Sequence, residues 1–226
     1  MKTIKSLRAS LTVWNAWVNA HRKLGIEPSY AQLFHIFECY GEKSRSYHTI
    51  IHVAQCLTFL REHFPDEPDS VILPVVIALI YHDVIYDSKM TDNEDASARV
   101  ASIYMKVQSF PDDFVQNVVR LILLTKSHTV EPGDRMASIM IDTDMNVLAW
   151  GERDYLRYAS QVWKEYSHFG RGPYIAGRMK FLMGLDPDKV FTTPEVNIEQ
   201  MISNVAWNRH LELELLRDNP AEIMGA

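Results

Sequence analysis

The chain reads as an all-α protein of about eight to ten helices. Three observations lead there. Apolar residues recur three and four apart along most of the chain, no stretch alternates strictly enough to argue for a strand, and prolines and polar turns cut the pattern into helix-sized lengths. At 226 residues, with 47% hydrophobic and 23% charged residues, the composition is that of an ordinary globular body. A single helical domain over 1–226 is the expectation, without internal repeats or low-complexity linkers.

Within the N-terminal residues 1–25, Leu7, Leu11, Trp14, Trp17 and Val18 recur at helical spacing, so 7–18 is expected to be an amphipathic helix. Residues 30–39 repeat the pattern with Tyr30, Leu33, Phe34 and Phe37. A third helix is expected over about 46–63, carrying His48 and His52 before Pro65 and Pro68 break the chain. A fourth, very apolar helix starts between 69 and 73, with Asp69 or Ser70 as its cap, and runs through VILPVVIALIYHD with Pro74 at or near its start. The polar stretch DSKMTDNED at 87–95 reads as a turn before a short helix, ASARVASIYMKV. Further helical patterns lie at 111–126, 152–168, 172–184 and 198–217. Trp14, Trp17, Trp150, Trp163 and Trp207 fall on apolar helical faces and read as core rather than as platforms for nucleobases.

A formal net charge of −6, from 23 basic and 29 acidic residues, gives no whole-molecule case for binding a nucleic-acid backbone. Cys39 and Cys56 make neither a disulfide framework nor a CxxC knuckle and read as core thiols of a reducing compartment. The basic start of MKTIKSLRASLTVWNAW is soon interrupted by polar residues and lacks a signal peptide's apolar stretch. The longest apolar run, 71–81, is too short to span a bilayer. A cytoplasmic protein without a membrane partner is expected, with homo-oligomerisation left open.

His48 and His52 are four apart, which on a continuous helix places them on one face with Cβ atoms roughly 6 Å apart. Thr49 stands where a zincin would need its glutamate, so this is not that motif, and two polar residues on a helix face explain HxxxH alone equally well. His82-Asp83 shifts the balance. It ends the most apolar helix, and an imidazole and a carboxylate are costly to bury unless paired or bound to metal. Such a His/carboxylate set admits Mn, Fe, Co, Ni, Zn or Mg. For a fourth ligand, Asp142 and Asp144 are two apart, so on a helix they point differently and one is expected to reach the site, with Asp144 favoured.

The order H…HD…D resembles the HD-domain superfamily of metal-dependent phosphohydrolases. Five blocks carry the likeness: RSYHTIIHVAQCL (45–57), ALIYHDVIYD (78–87), DNEDASA (92–98), LLTKSH (123–128) and IDTDMNVL (141–148). Together they look like the predicted HD phosphohydrolase family whose members carry RxYHxxxH, HDxxYD, DNExxSA and DxDL blocks. VWKEY (162–166) and GRMKFL (177–182) look like its C-terminal blocks, so the resemblance covers most of residues 40–216. Met145 departs from the leucine that often follows the last aspartate, a volume-conserving change.

The resemblance implies an HD-type helical bundle with His52, His82, Asp83 and Asp144 holding a divalent metal. It further implies hydrolysis, by metal-activated water, of a phosphate ester or anhydride of a small molecule, in the first place a nucleotide. Cyclic-nucleotide phosphodiesterases, distant relatives, share YHxxxH with the first histidine as general acid, the role this implies for His48. Glu94 in DNED is a candidate to orient or deprotonate water, and equally a first-turn helix acid. Arg45, whose fork matches phosphate geometry, Lys126 and His128 are candidate substrate contacts, although Lys126 also suits a helix C-terminus and His128 a further ligand or a C-cap. His35, His63, His168 and His210 read as structural or surface residues, and Arg178 as half of a buried ion pair with an acid such as Glu165. Two other readings stand beside hydrolysis: a non-catalytic metal- or nucleotide-sensing protein and, ranked below it, a di-iron oxygenase. Sequence does not choose the metal, one ion or two, the substrate or the pathway.

Overall fold

A computed structural model describes residues 2–225. The all-α expectation holds: among the described residues there are eleven α-helices and no strand. The helices cluster into two compact units, the first ending at Asp144 and the second beginning at Met145. No helix is long and apolar enough to cross a membrane.

The first unit contains α1 (Lys2–Lys23), α2 (Tyr30–Tyr40), α3 (Ile50–His63), α4 (Asp69–Tyr81), α5 (Asn93–Val107), α6 (Asp112–Leu124) and α7 (Arg135–Asp144). Helix α4 is its axis, packing against α1, α3, α5, α6 and α7. This is why its sequence is apolar all round rather than on one stripe; Leu73, Val75 and every residue from Ile77 to Tyr81 are buried. The helix begins one residue beyond the N-cap Pro68, with Asp69 in its first turn. Pro74 lies inside it, where its missing N–H leaves the carbonyl of Ser70 without an intrahelical donor.

Helix α1 buries a different face from the one its pattern suggested. Ala9, Val13, Trp17 and Ala20 face the core, whereas Leu7 and Leu11 are 72% and 59% exposed. Two apolar stripes compete on this helix, and the one bearing small residues beside Trp17 is buried. Trp14 instead stacks on Tyr30 of α2 with ring centroids 5.0 Å apart. His21, near the end of α1, is a core histidine: it lies 2.8 Å from the carbonyl of Trp17 and 2.9 Å from the Tyr104 hydroxyl, and burial lowers its pKa.

Two further boundaries differ from expectation. The DNED segment is not a loop before α5; Asn93, Glu94 and Asp95 form the helix's first turn, where acids suit the positive end of the dipole. Helix α7, over Arg135–Asp144, lies outside the helical patterns expected from sequence.

The second unit contains a 3-10 turn at Met145–Ala149, then α8 (Glu152–Tyr166), α9 (Arg171–Gly184), α10 (Glu199–Asp218) and α11 (Ala221–Met224). At its centre the Arg178 guanidinium meets the Glu212 carboxylate through two bonds of 2.8 and 3.0 Å. The partner is thus Glu212 of α10, not Glu165. Tyr155 donates its hydroxyl proton to Glu212, and Arg178 Nη1 donates to the Tyr158 oxygen at 3.2 Å, so both charges are enclosed by polar partners. Trp163 is buried, but Trp207 is 54% exposed and donates its indole N–H to Glu152, contrary to the core role expected of it.

Candidate metal centre

Three helix ends of the first unit bring the histidines and aspartates together. Helix α3 starts at Ile50, not near 46, because Thr49 is extended and its hydroxyl caps the Ile51 N–H. His48 therefore lies on the preceding turn, and the one-face argument for His48 and His52 does not apply. The rings still approach, with centroids 6.1 Å apart. His52 is the third residue of α3. At the other end of α4, His82 is the C-cap and Asp83 follows in the turn. Asp144 is the last residue of α7, whereas Asp142, two positions earlier, is turned by roughly 200° about the helix and is fully buried. Helix periodicity thus selects Asp144.

The side chains of His52 and His82 meet each other and both carboxylates. His52 Nε2 lies 3.1 Å from His82 Nε2 and 3.1 Å from Asp144 Oδ1. His82 Nε2 lies 3.0 Å from Asp83 Oδ2 and 3.4 Å from Asp144 Oδ1, and His52 Nε2 lies 3.9 Å from Asp83 Oδ2. His82 Nδ1 is 2.8 Å from the carbonyl of Leu79, which only accepts, so Nδ1 carries the proton and the Nε2 lone pair of the neutral ring faces the cluster. Two imidazole nitrogens and two carboxylates brought this close repel unless a proton or a metal cation lies among them.

The spacing also fits a metal. Bonds of ~2.1 Å give ligand-to-ligand edges of about 3.0 Å in an octahedron and about 3.4 Å in a tetrahedron, and most of the observed separations fall in that range. His52, His82 and Asp83, and separately His52, Cys56 and Asp144, are groups able to hold one ion. Both histidines are buried, while Asp83 and Asp144 keep 15% and 12% of their side chains exposed, so the cluster meets solvent on its carboxylate side.

Burial works against charge at His82, Asp83 and Asp144, and the opposite charges around each outweigh burial. Asp83 and Asp144 hold His82 well above the ordinary histidine range. His82 in turn holds both carboxyls well below theirs, helped by His48 and His52 at Asp83 and by His128 and His52 at Asp144. The sign follows from linkage. The raised His82 stabilises the metal-free fold fully below its ordinary 6.5, and that contribution is lost as pH rises through the raised value. The depressed aspartates stabilise above their ordinary 3.8 and lose this only as pH falls through the lowered values. A metal replaces the proton on His82 Nε2. Thermal melts of chelator-treated protein are therefore expected to shift downward as pH rises above 6.5, with added Mn or Zn removing the decline; a metal-free melting curve indifferent to pH there would contradict this.

Around the cluster the other candidates separate. His48 is half-buried, stacked on Tyr86 at 4.0 Å between centroids, and near enough to Asp83 to stabilise its charge. His128 has a left-handed backbone (φ 52°), its N–H closing α6 on the Leu124 carbonyl, and its Nε2 lies 3.5 Å from Asp144 Oδ2. The C-cap of α6 is Thr125 rather than His128, which lies in the turn beyond it as a neighbour of the cluster. Lys126 is exposed and pairs with Asp95 at 2.8 Å, with Glu94 adding to the negative field around it. Among the described residues no hydrogen bond or ion pair joins Glu94 or Lys126 to the four-residue cluster.

Arg45, suggested as a phosphate fork, is buried and its guanidinium is bonded to main-chain carbonyls and to Glu42. Three neighbours of the site were not singled out from sequence. Cys56 Sγ lies 3.7 Å from His52 Nδ1, one helical turn on, a spacing that was available to be read. Tyr86 supports His48, and the Tyr40 hydroxyl donates to the Ile80 carbonyl at 3.1 Å and accepts from the Asp83 N–H at 3.3 Å. Neither tyrosine carries a spacing signal, because each meets its partner through tertiary packing.

Comparison with family models, curated proteins and solved structures finds no match to the chain.

Proposed function

We propose that this protein is a metal-dependent phosphohydrolase of the HD-domain type, acting on a small phosphorylated molecule, with nucleotides the leading substrate class. The observation that carries the reading is the cluster in which His52 and His82 meet the carboxylates of Asp83 and Asp144, in the order H…HD…D, with the carboxylates partly exposed to solvent. A divalent cation held there supplies Lewis acidity toward a phosphoryl oxygen and brings the pKa of water near neutrality.

The protein's own groups do the rest. His82 is locked in one tautomer by the Leu79 carbonyl, so its Nε2 stays directed at the cluster. The two carboxylates remain ionised across the physiological range, which keeps the ligand set intact. His48, on the turn beside Asp83 and held against Tyr86, is the group placed to give a proton to a leaving oxygen. His128, on the Asp144 side, is the nearer candidate to meet a phosphoryl group.

Metal analysis of protein purified without air, followed by a panel of nucleotides and simple phosphoesters with Mn, Co, Ni and Mg, tests the reading. Phosphate release by wild type and its loss by roughly 100-fold or more in Asp83→Ala is the expected result. Nucleotide binding that depends on metal, with no turnover under any metal, would instead support a sensing role and sink the enzyme reading.

A further inference from the structure

We infer that Arg45 is a positioning residue: its guanidinium fixes the turn carrying His48 against the turn carrying Asp83, and it does not bind substrate phosphate. Helix α4 ends at Tyr81, so the carbonyls beyond it have no intrahelical donor. In a buried turn they need partners from elsewhere. Arg45 Nη1 donates to the Asp83 carbonyl and, at 3.4 Å, to that of His48, and Nη2 donates to the Val84 carbonyl at 3.0 Å. Nε donates to Glu42 at 3.0 Å, which balances the buried charge.

The guanidinium also lies 5.2 Å from the ring centre of Tyr40 and 5.7 Å from that of Tyr86. Tyr40 holds the Ile80 carbonyl and the Asp83 N–H, and Tyr86 supports the His48 ring. One side chain, 1% exposed, therefore touches both main-chain turns and both tyrosines that set the Asp83 carboxylate and the His48 imidazole. With four of its five N–H donors on carbonyls and Glu42 and the side chain buried, the fork has no open face for a phosphate. A lysine would keep the charge but could not span the carbonyls of His48, Asp83 and Val84 together.

The effect expected on turnover rests on the phosphohydrolase reading, whereas the effect on the metal does not. Wild type, Arg45→Lys and Arg45→Gln are loaded with Co(II), and the visible spectrum and Co(II) affinity are measured beside kcat and KM. Positioning predicts an altered spectrum, Co(II) binding weaker by roughly 10- to 100-fold even in Arg45→Lys, and a fall in kcat with KM little changed. A wild-type spectrum and affinity in both variants, or a KM raised with kcat unchanged, overturns it. Should the variants fail to fold, arginine-detected NMR of the wild type decides: Arg45 resonances that move on metal loading but not on titration with inorganic phosphate support positioning, and movement with phosphate overturns it. A wild type without turnover leaves the Co(II) and NMR outcomes standing.

Discussion

Asp144→Asn is expected to reduce metal bound at the cluster to a trace, and with it any metal-dependent activity, while the helices remain folded. The substitution keeps the shape of the side chain and removes only its charge. Asp144 Oδ1 faces both His52 and His82, and Oδ2 faces His128, so this carboxylate is shared by three imidazoles of the site. Without it, the positive charge of a bound ion is balanced by Asp83 alone, and the His52 and His82 nitrogens, 3.1 Å apart, lose the carboxylate that lies against both. Loss of an anionic ligand should cost at least the 10- to 100-fold in affinity that outer-shell changes typically cause, and roughly more because this group contacts the ion itself. Elemental analysis after dialysis and far-ultraviolet circular dichroism provide the check. Metal retained at wild-type stoichiometry would remove Asp144 from the ligand set. Asp142→Asn is the control: it is turned away from the cluster, so it should leave metal content unchanged even if it lowers stability.

The second large effect is expected in the second unit. Glu212→Ala should lower stability by about 3–5 kcal/mol, the usual consequence of leaving one charge of a buried pair without its partner. Arg178 would stay enclosed by Tyr158 and Phe181 with no anion to meet its Nε and Nη2 donors. At roughly 2–4 °C per kcal/mol for a chain of this size, the melting temperature should fall by roughly 6–20 °C. Arg178→Met combined with Glu212→Leu should recover much of the loss, because removing both charges removes the cost of burying them. The recovery should be incomplete, since the Tyr155 hydroxyl loses its acceptor. Calorimetry of the two single variants and the double variant forms a cycle; additive losses would show that the pair is not coupled.

Legibility in the sequence divided along a physical line. The helical class was readable because the spacing of apolar residues is a local property, and the central place of α4 because a helix apolar on all sides has nowhere to go but the core. His82-Asp83 was conspicuous for the same reason: charge at the end of such a helix demands a partner. What failed locally was the edge of α3, where the Thr49 cap outcompeted continuation of the helix and put His48 on a turn. DNED failed likewise, because the acids that looked like loop residues are also the acids that begin a helix.

Periodicity and composition by themselves determined that this chain is a set of helices and which of them is central, whereas taking two imidazoles and two carboxylates together rested on the resemblance to HD-domain proteins. Only the tertiary structure decided that α1 buries Ala9, Val13, Trp17 and Ala20 rather than Leu7 and Leu11, that Arg178 pairs with Glu212, and that the Arg45 fork grips main-chain carbonyls. It also decided that His52 and His82 come together with the carboxylates of Asp83 and Asp144. The reason is range. Helix geometry links residues three and four apart, so sequence records it, whereas which of two apolar stripes is covered, and which carboxylate answers a buried arginine, depends on chain segments tens of residues away brought together by packing.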